Sequence, residues 1–120
     1  MHGLGDLESA VMDVLWQTQN PVSVRDVMER LDTGRPLAYT TVMTVLANLH
    51  RKAWVLRELV GKAHHYTTAL TREEAATRAL REVLDASGDP EAVLLHFAQS
   101  VSEHESRVLR EALRNRSGGR

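Results

Sequence analysis

Cysteine is absent from the 120 residues. That excludes a disulfide scaffold, a thiolate zinc site, a cysteine nucleophile and thiol redox sensing. Aromatic residues are scarce, at two Trp, two Tyr and one Phe, so the core has to be aliphatic and largely helical. No apolar run approaches the roughly 20 residues that a membrane-spanning helix requires. The start, Met1-His2-Gly3-Leu4-Gly5-Asp6, lacks the basic stretch, apolar centre and small-residue cleavage site of a signal peptide. A soluble cytoplasmic protein without membrane insertion is expected. What the chain does hold is 42% hydrophobic and 26% charged residues, the balance of a packed domain rather than of disorder.

The net charge of −1 hides an uneven distribution. Residues 1–32 hold two basic groups against six acidic ones. Residues 33–69 reverse this, with Arg35, Arg51, Lys52, Arg57 and Lys62 against the single acid Glu58. Residues 70–120 are nearly balanced, with eight basic and nine acidic groups. A basic central block that also contains His50, His64 and His65 is a local footprint of the kind phosphate backbones select. A solvated charged face is the alternative reading of that block.

Periodicity divides the chain into elements. Leu7, Ala10, Val11, Val14 and Leu15 follow helical spacing, predicting a helix over about 6–18 with Asp6 as its cap. Val24, Val27, Met28 and Leu31 repeat the spacing behind Ser23, an N-cap with Asp26 three residues on. The breaker cluster Asp32-Thr33-Gly34-Arg35-Pro36 ends that second helix near Leu31. A third helix, about 38–52, carries the apolar stripe Val42, Val45, Leu46 and Leu49. Its opposite face shows Thr40, Thr41, Thr44, Asn48 and Arg51, with Tyr39 and Met43 at the edge. Threonine is only a fair helix former, so stability alone does not account for that face.

After Ala53 the period changes to that of strands. Residues 54–60 and 64–69, joined at Gly61-Lys62, read as a two-stranded hairpin. Helical signals then return. Thr71-Arg72-Glu73-Glu74 is a capping box opening a helix that runs to Ser87-Gly88. Asp89-Pro90 opens another, with the stripe Val93, Leu94, Phe97, Ala98 and Val101. Ser102-Glu103-His104-Glu105 opens the last, with Val108, Leu109, Ala112 and Leu113. Ser117-Gly118-Gly119-Arg120 reads as a frayed tail.

Three helices and a hairpin, with an outward threonine face on the third helix, form the pattern of a winged helix-turn-helix. The expected fold class is mainly α with a small β-hairpin. Residues 1–69 are the expected DNA-binding domain and residues 70–120 the expected helical dimerisation region. In such a fold the third helix enters the major groove, about 12 Å wide. A threonine hydroxyl can bond a base or phosphate there, and its methyl can touch the methyl of thymine. The Lys62 tip of the hairpin can meet phosphate or the minor groove. Trp54 reads as core rather than as a base-stacking residue. The last three helices hold little area to set against their ordering entropy. Val93, Leu94, Phe97, Val101 and Leu109 are therefore the expected dimer seam, which would place two reading helices on a pseudo-palindromic operator. Folding of these helices back onto residues 1–69 in a monomer is the alternative.

Three stretches carry a resemblance. They are Leu7-Glu8-Ser9-Ala10-Val11-Met12-Asp13-Val14-Leu15-Trp16, then Val22-Ser23-Val24-Arg25-Asp26-Val27, then Leu37-Ala38-Tyr39-Thr40-Thr41-Val42-Met43-Thr44-Val45-Leu46 with Leu49 and Lys52. Together they resemble the penicillinase-repressor (BlaI/MecI/CopY) family of bacterial regulators, with the likeness running from about Leu4 to Leu113. Leu94-Leu95-His96-Phe97 resembles part of that family's dimerisation region. The resemblance implies a homodimeric repressor on double-stranded operator DNA. It places Tyr39, Thr40, Thr41, Thr44 and Asn48 in the recognition helix, with Arg51 and Lys62 suited to backbone contacts. In the family's best-known branch, linked to antibiotic resistance, a membrane-bound metalloprotease receptor senses β-lactams and the repressor is cleaved before a Phe that matches Phe97. Here His96 precedes it, where those repressors have Asn. The paired Cys-x-Cys motifs of the copper-responsive branch are absent.

Catalysis is not expected. His104-Glu105 begins like a zinc-protease helix, but Val108 stands where the second His is required. Neither a Gly-x-Ser-x-Gly elbow nor a phosphate-binding glycine loop is present. No catalytic residue, cofactor or metal is assigned. Two other readings remain open at this stage. One is a metal- or haem-sensing regulator using His50, His64 or His65, although adjacent strand histidines point to opposite faces. The other is a protein-interaction adaptor that makes no use of DNA.

Overall fold

A computed structural model describes residues 3–118. Six helices and one hairpin follow in the order α1 (Asp6–Trp16), α2 (Val24–Arg30), α3 (Tyr39–Arg51), β1 (Val55–Val60), β2 (Ala63–Thr68), α4 (Arg72–Ala86), α5 (Pro90–Ser100) and α6 (Glu103–Gly118). This is the three-helix-plus-wing arrangement that the sequence predicts, followed by three helices. The chain forms two compact units, up to Ala79 and from Leu80 onward, so the division falls inside α4.

In the first unit the apolar stripes meet. Val11, Met12 and Leu15 of α1, Val24 and Val27 of α2, and Val42, Val45, Leu46 and Leu49 of α3 join one buried cluster with Trp54, Val55, Tyr66, Leu70 and Ala75. Trp54 is core, as expected. Tyr66, only 2% exposed, is a core residue that the strand alternation had not marked. Its backbone explains part of this: Val22 and Tyr66 exchange N–H···O bonds of 3.0 and 2.8 Å, so the α1–α2 loop adds a bridge to the outer edge of β2.

The hairpin is antiparallel, with Val55 opposite Thr68 and Val60 opposite Ala63. Gly61, at φ +65°, and Lys62 form its two-residue turn. The tight turn brings Ala63 into β2, one residue earlier than predicted. One face of the ladder carries Val55, Arg57 and Leu59 with His64, Tyr66 and Thr68, and the other carries Leu56, Glu58 and Val60 with Ala63, His65 and Thr67.

Caps set most helix starts. Ser23 accepts from the Asp26 N–H at 3.2 Å while the Asp26 carboxylate accepts from the Ser23 N–H at 3.0 Å. Thr71 with Glu74 and Ser102 with Glu105 make the same reciprocal pair, and Asp89 accepts from the Ala92 N–H. The expected cap of α1 is corrected. Gly5 holds the N-cap position and Asp6 is the first helical residue. Gly5 has no side chain to accept a first-turn N–H, and the hold at this start comes instead from the Glu8 carboxylate, which accepts the Gly5 N–H at 2.9 Å. At the other end α1 stops at Trp16 rather than near 18, where the Thr18 hydroxyl donates to the Leu15 carbonyl. The expected fray at Ser117 and Gly118 is also corrected, because the α6 backbone runs through Gly118. Gly119 and Arg120 lie outside the described residues.

In the second unit no described residue of α5 or α6 is buried. Leu80, Val83, Val93, Leu94, Leu95, Phe97, Val108, Leu109 and Leu113 are exposed by between 37% and 64%. These helices have capped N-termini and amphipathic sequences without a covered apolar face among the described residues.

Candidate nucleic-acid interface

The candidate interface begins with α3. Val42, Leu46 and Leu49 are fully buried and Val45 nearly so, which fixes the rotation of the helix about its axis. With a period of 3.6 residues, that rotation turns Tyr39, Thr40, Thr41, Thr44 and Arg51 outward, and all five are exposed. Met43 joins them at 42% exposure, and Asn48 is half-buried at the margin of the face. The surface therefore presents hydroxyls, one phenol, one thioether and a guanidinium, without a carboxylate.

The start of α3 differs from its neighbours. Its N-cap is Ala38, which makes no side-chain cap bond. The Thr41 N–H already reaches the Ala38 carbonyl at 3.1 Å, which leaves the Tyr39 and Thr40 N–H groups for outside acceptors, and a helix start of this kind favours anions. Beside it, Tyr39 lines a cleft of about 330 Å³ with Arg25, Met28 and Glu29 of α2. Arg25, an exposed cation that the sequence reading had placed only inside α2, thus shares the Tyr39 end of the surface. The signal for it was its position one turn before Met28 on the short bracing helix.

The C-terminal end of α3 is held by charge. Lys52, the C-cap, donates from Nζ to both Glu8 carboxylate oxygens at 2.9 Å. Burial raises the Glu8 pKa. The Gly5 N–H, the Lys52 ammonium and the Arg51 charge outweigh that effect and leave it below the ordinary carboxyl value. Glu8 therefore stays anionic at neutral pH and neutralises Lys52. The Asp26 carboxyl at the start of α2 is also below its ordinary value, first because it accepts the Ser23 N–H and is hydrogen-bonded to the Ser23 hydroxyl.

Lys62, in the Gly61-Lys62 turn, is exposed at the tip of the hairpin. It lies on a different element from the α3 residues and reaches outward independently of them. Leu59 and Val60 beside it are 63% and 51% exposed. His65 is half-buried, with Nδ1 buried and unpaired, whereas His64 is exposed. Among the described residues, no three His, Asp or Glu side chains come together as metal ligands.

Away from this surface, Trp16 anchors the segment before α4. Its indole N–H donates to the Leu70 carbonyl at 3.1 Å, and the Arg72 guanidinium lies 4.8 Å above its ring. Arg72 also pairs with Asp13 at 3.0 Å. In the second unit His96 and Phe97 are exposed, consecutive residues of α5. Phe97, Val101, Val108 and Leu109 line a groove of about 340 Å³ together with His104 and Glu105. Val93 joins Phe97 in a second, more open groove, and Leu94 is 51% exposed. All five residues expected at a dimer seam thus lie on α5 and α6 or at their junction. No helix among the described residues is long and apolar enough to cross a membrane.

The sequence profile of the family described as Penicillinase repressor matches residues 4–115. The chain is 43% identical over 119 residues to the Transcriptional regulator BlaI of Mycobacterium tuberculosis, from strains H37Rv and CDC 1551 alike. That alignment covers 97% of this chain and 86% of the relative. Among solved structures, MepR, a transcription regulator of the Staphylococcus aureus multidrug efflux pump MepA, superposes with a TM-score of 0.51 at 17% identity. The superposition covers 98% of this chain and 80% of MepR.

Proposed function

The chain belongs to the penicillinase repressor family and is a DNA-binding transcriptional repressor, and we propose that it acts as a homodimer on a pseudo-palindromic operator read through α3. The observation that carries this reading is the rotation of α3. Val42, Val45, Leu46 and Leu49 are turned into the core, which leaves Thr40, Thr41 and Thr44 outward on a helix that itself carries no carboxylate. In the major groove those hydroxyls and methyls address base edges, Tyr39 and Asn48 extend the contact at its margins, and Arg51 and Lys62 pair with phosphates. The uncapped start of α3 offers backbone N–H groups to a further phosphate.

The exposed apolar residues of α5 and α6 support a second copy as partner. Contiguous apolar surface of this kind marks an interaction site, and Val93, Leu94, Phe97, Val101 and Leu109 supply it. Residues 1–69 then form the DNA-binding part and residues 70–120 the dimerisation region, with α4 linking the two. Induction through a membrane-bound metalloprotease receptor that cuts between His96 and Phe97 fits the same family. Because that bond lies inside α5, cleavage requires the helix to unwind locally.

The test is selection of bound fragments from the genome of the source organism, followed by footprinting. The expected result is a protected dyad whose half-site centres are one or two helical turns apart. Recovery of fragments without a shared dyad, or of none at low salt, would refute the proposal.

A further inference from the structure

We propose that Glu8 is a positioning residue for operator recognition, setting the placement of the reading helix through Lys52. This inference rests on the reading of α3 as the recognition helix. Three observations converge on the Glu8 carboxylate. It accepts the Gly5 N–H, so it is tied to the start of α1. It takes both of its oxygens to the ammonium of Lys52, the cap of α3, across 44 positions of sequence. It is the less exposed partner of the pair, with a side chain at 14% against 39% for Lys52.

The consequence is geometric. The core side of α3 is an aliphatic stripe, whose non-directional contacts oppose lifting of the helix more than small tilts. The polar staple at Lys52 supplies a directional hold at one end. Thr40 and Lys52 lie on either side of the buried Val45 and Leu46. Once Lys52 is unheld, a tilt of roughly 10° about that buried middle displaces Thr40, roughly 8 Å away along the axis, by about 1.4 Å. Direct readout tolerates misplacement of only about 0.5 Å. Phosphate contacts made by long side chains tolerate far more. Loss of the staple should therefore harm sequence discrimination more than affinity for DNA in general.

Charge alone predicts tighter binding with an unchanged operator-to-scrambled ratio, and this makes the proposal testable. Glu8→Gln keeps an oxygen for the Gly5 N–H but removes a negative charge next to Arg51 and Lys52. On electrostatic grounds it should tighten binding to every duplex and steepen the salt dependence. If Glu8 positions α3, the ratio of affinity for operator over scrambled DNA should fall roughly fivefold, the upper range for an ion pair of this exposure. Affinity for the scrambled duplex should hold or rise. The full-length protein is titrated by fluorescence anisotropy with the shortest duplex recovered by the genomic selection and a length-matched scrambled duplex.

Should Glu8→Gln not fold, Lys52→Met takes its place, with Lys52→Arg as the conservative variant. A ratio lowered by Met and restored by Arg supports the positioning role. An unchanged ratio in the folded variant overturns it, whatever happens to overall affinity. If the wild-type protein itself does not discriminate the two duplexes, it is the reading of α3 that fails rather than the role of Glu8.

Discussion

Replacing Phe97 by Asp should dissociate the proposed dimer, and the structure gives the scale. Phe97 is 54% exposed on the single chain. A phenylalanine has about 200 Å² to bury, so about 110 Å² awaits a partner. At about 25 cal/mol per Å², covering it contributes about 2.7 kcal/mol per chain. Twofold symmetry counts the residue twice, giving about 5.5 kcal/mol, or about four decades in the dimer Kd. The ordering cost of association makes this an upper bound for truncation alone. The introduced carboxylate adds its own desolvation cost and pushes the result back toward full loss. Sedimentation equilibrium on wild type and variant, with far-UV circular dichroism to establish equal helix content, reads the effect directly. Because Phe97 lies on an exposed face, the variant should keep its helices and sediment as a monomer. An equally helical variant with an unshifted monomer–dimer equilibrium would refute the seam, and with it the argument from exposed apolar area.

Other expectations follow from single positions. Thr41→Ala or Thr44→Ala should weaken operator binding by about 1–3 kcal/mol if the residue meets a base; unchanged affinity in a titration with intact folding would remove it from the reading surface. Lys62→Ala should lower affinity for all duplexes alike and reduce the salt slope by about 1 per lost phosphate contact; a sequence-selective loss would contradict a backbone role. Ala53 sits at φ +66° between α3 and β1, a conformation that costs a non-glycine residue about 1–2 kcal/mol. Glycine there also gains about 0.4–1 kcal/mol of freedom when unfolded. Ala53→Gly should therefore stabilise the first unit by about 0.5–1 kcal/mol, read as a rise of a few degrees in Tm; a lower Tm would contradict the strain.

Much of this architecture was legible because local chemistry repeats. The Val42, Val45, Leu46 and Leu49 stripe fixed both the core side of α3 and, by subtraction, the outward threonines. Ser23, Thr71, Asp89 and Ser102 announced four helix starts through side-chain oxygens that bond the next turn. What stayed hidden depends on residues far apart in sequence. The Glu8–Lys52 pair, the Trp16 bond to Leu70 and the Val22–Tyr66 bridge leave no periodic trace. In sequence Tyr66 reads as one more residue of a weakly alternating strand, and it is the α1–α2 loop lying along it that marks it out. The start of α1 misled for a subtler reason. Asp6 is a good capping residue by type, but Glu8 reaches back from inside the helix to the Gly5 N–H, which ties the chain there with glycine at the cap.

Both tryptophans belong to the unit that ends at Ala79. Trp54 is sealed in its core, while Trp16 lies half-buried beneath the Arg72 guanidinium. The helices beyond Leu80 contain no indole at all. Intrinsic fluorescence consequently has eyes on only one half of the molecule. Melting followed by emission and melting followed by ellipticity would trace different transitions wherever the halves come apart separately, so the chain carries its own built-in means of telling those events apart.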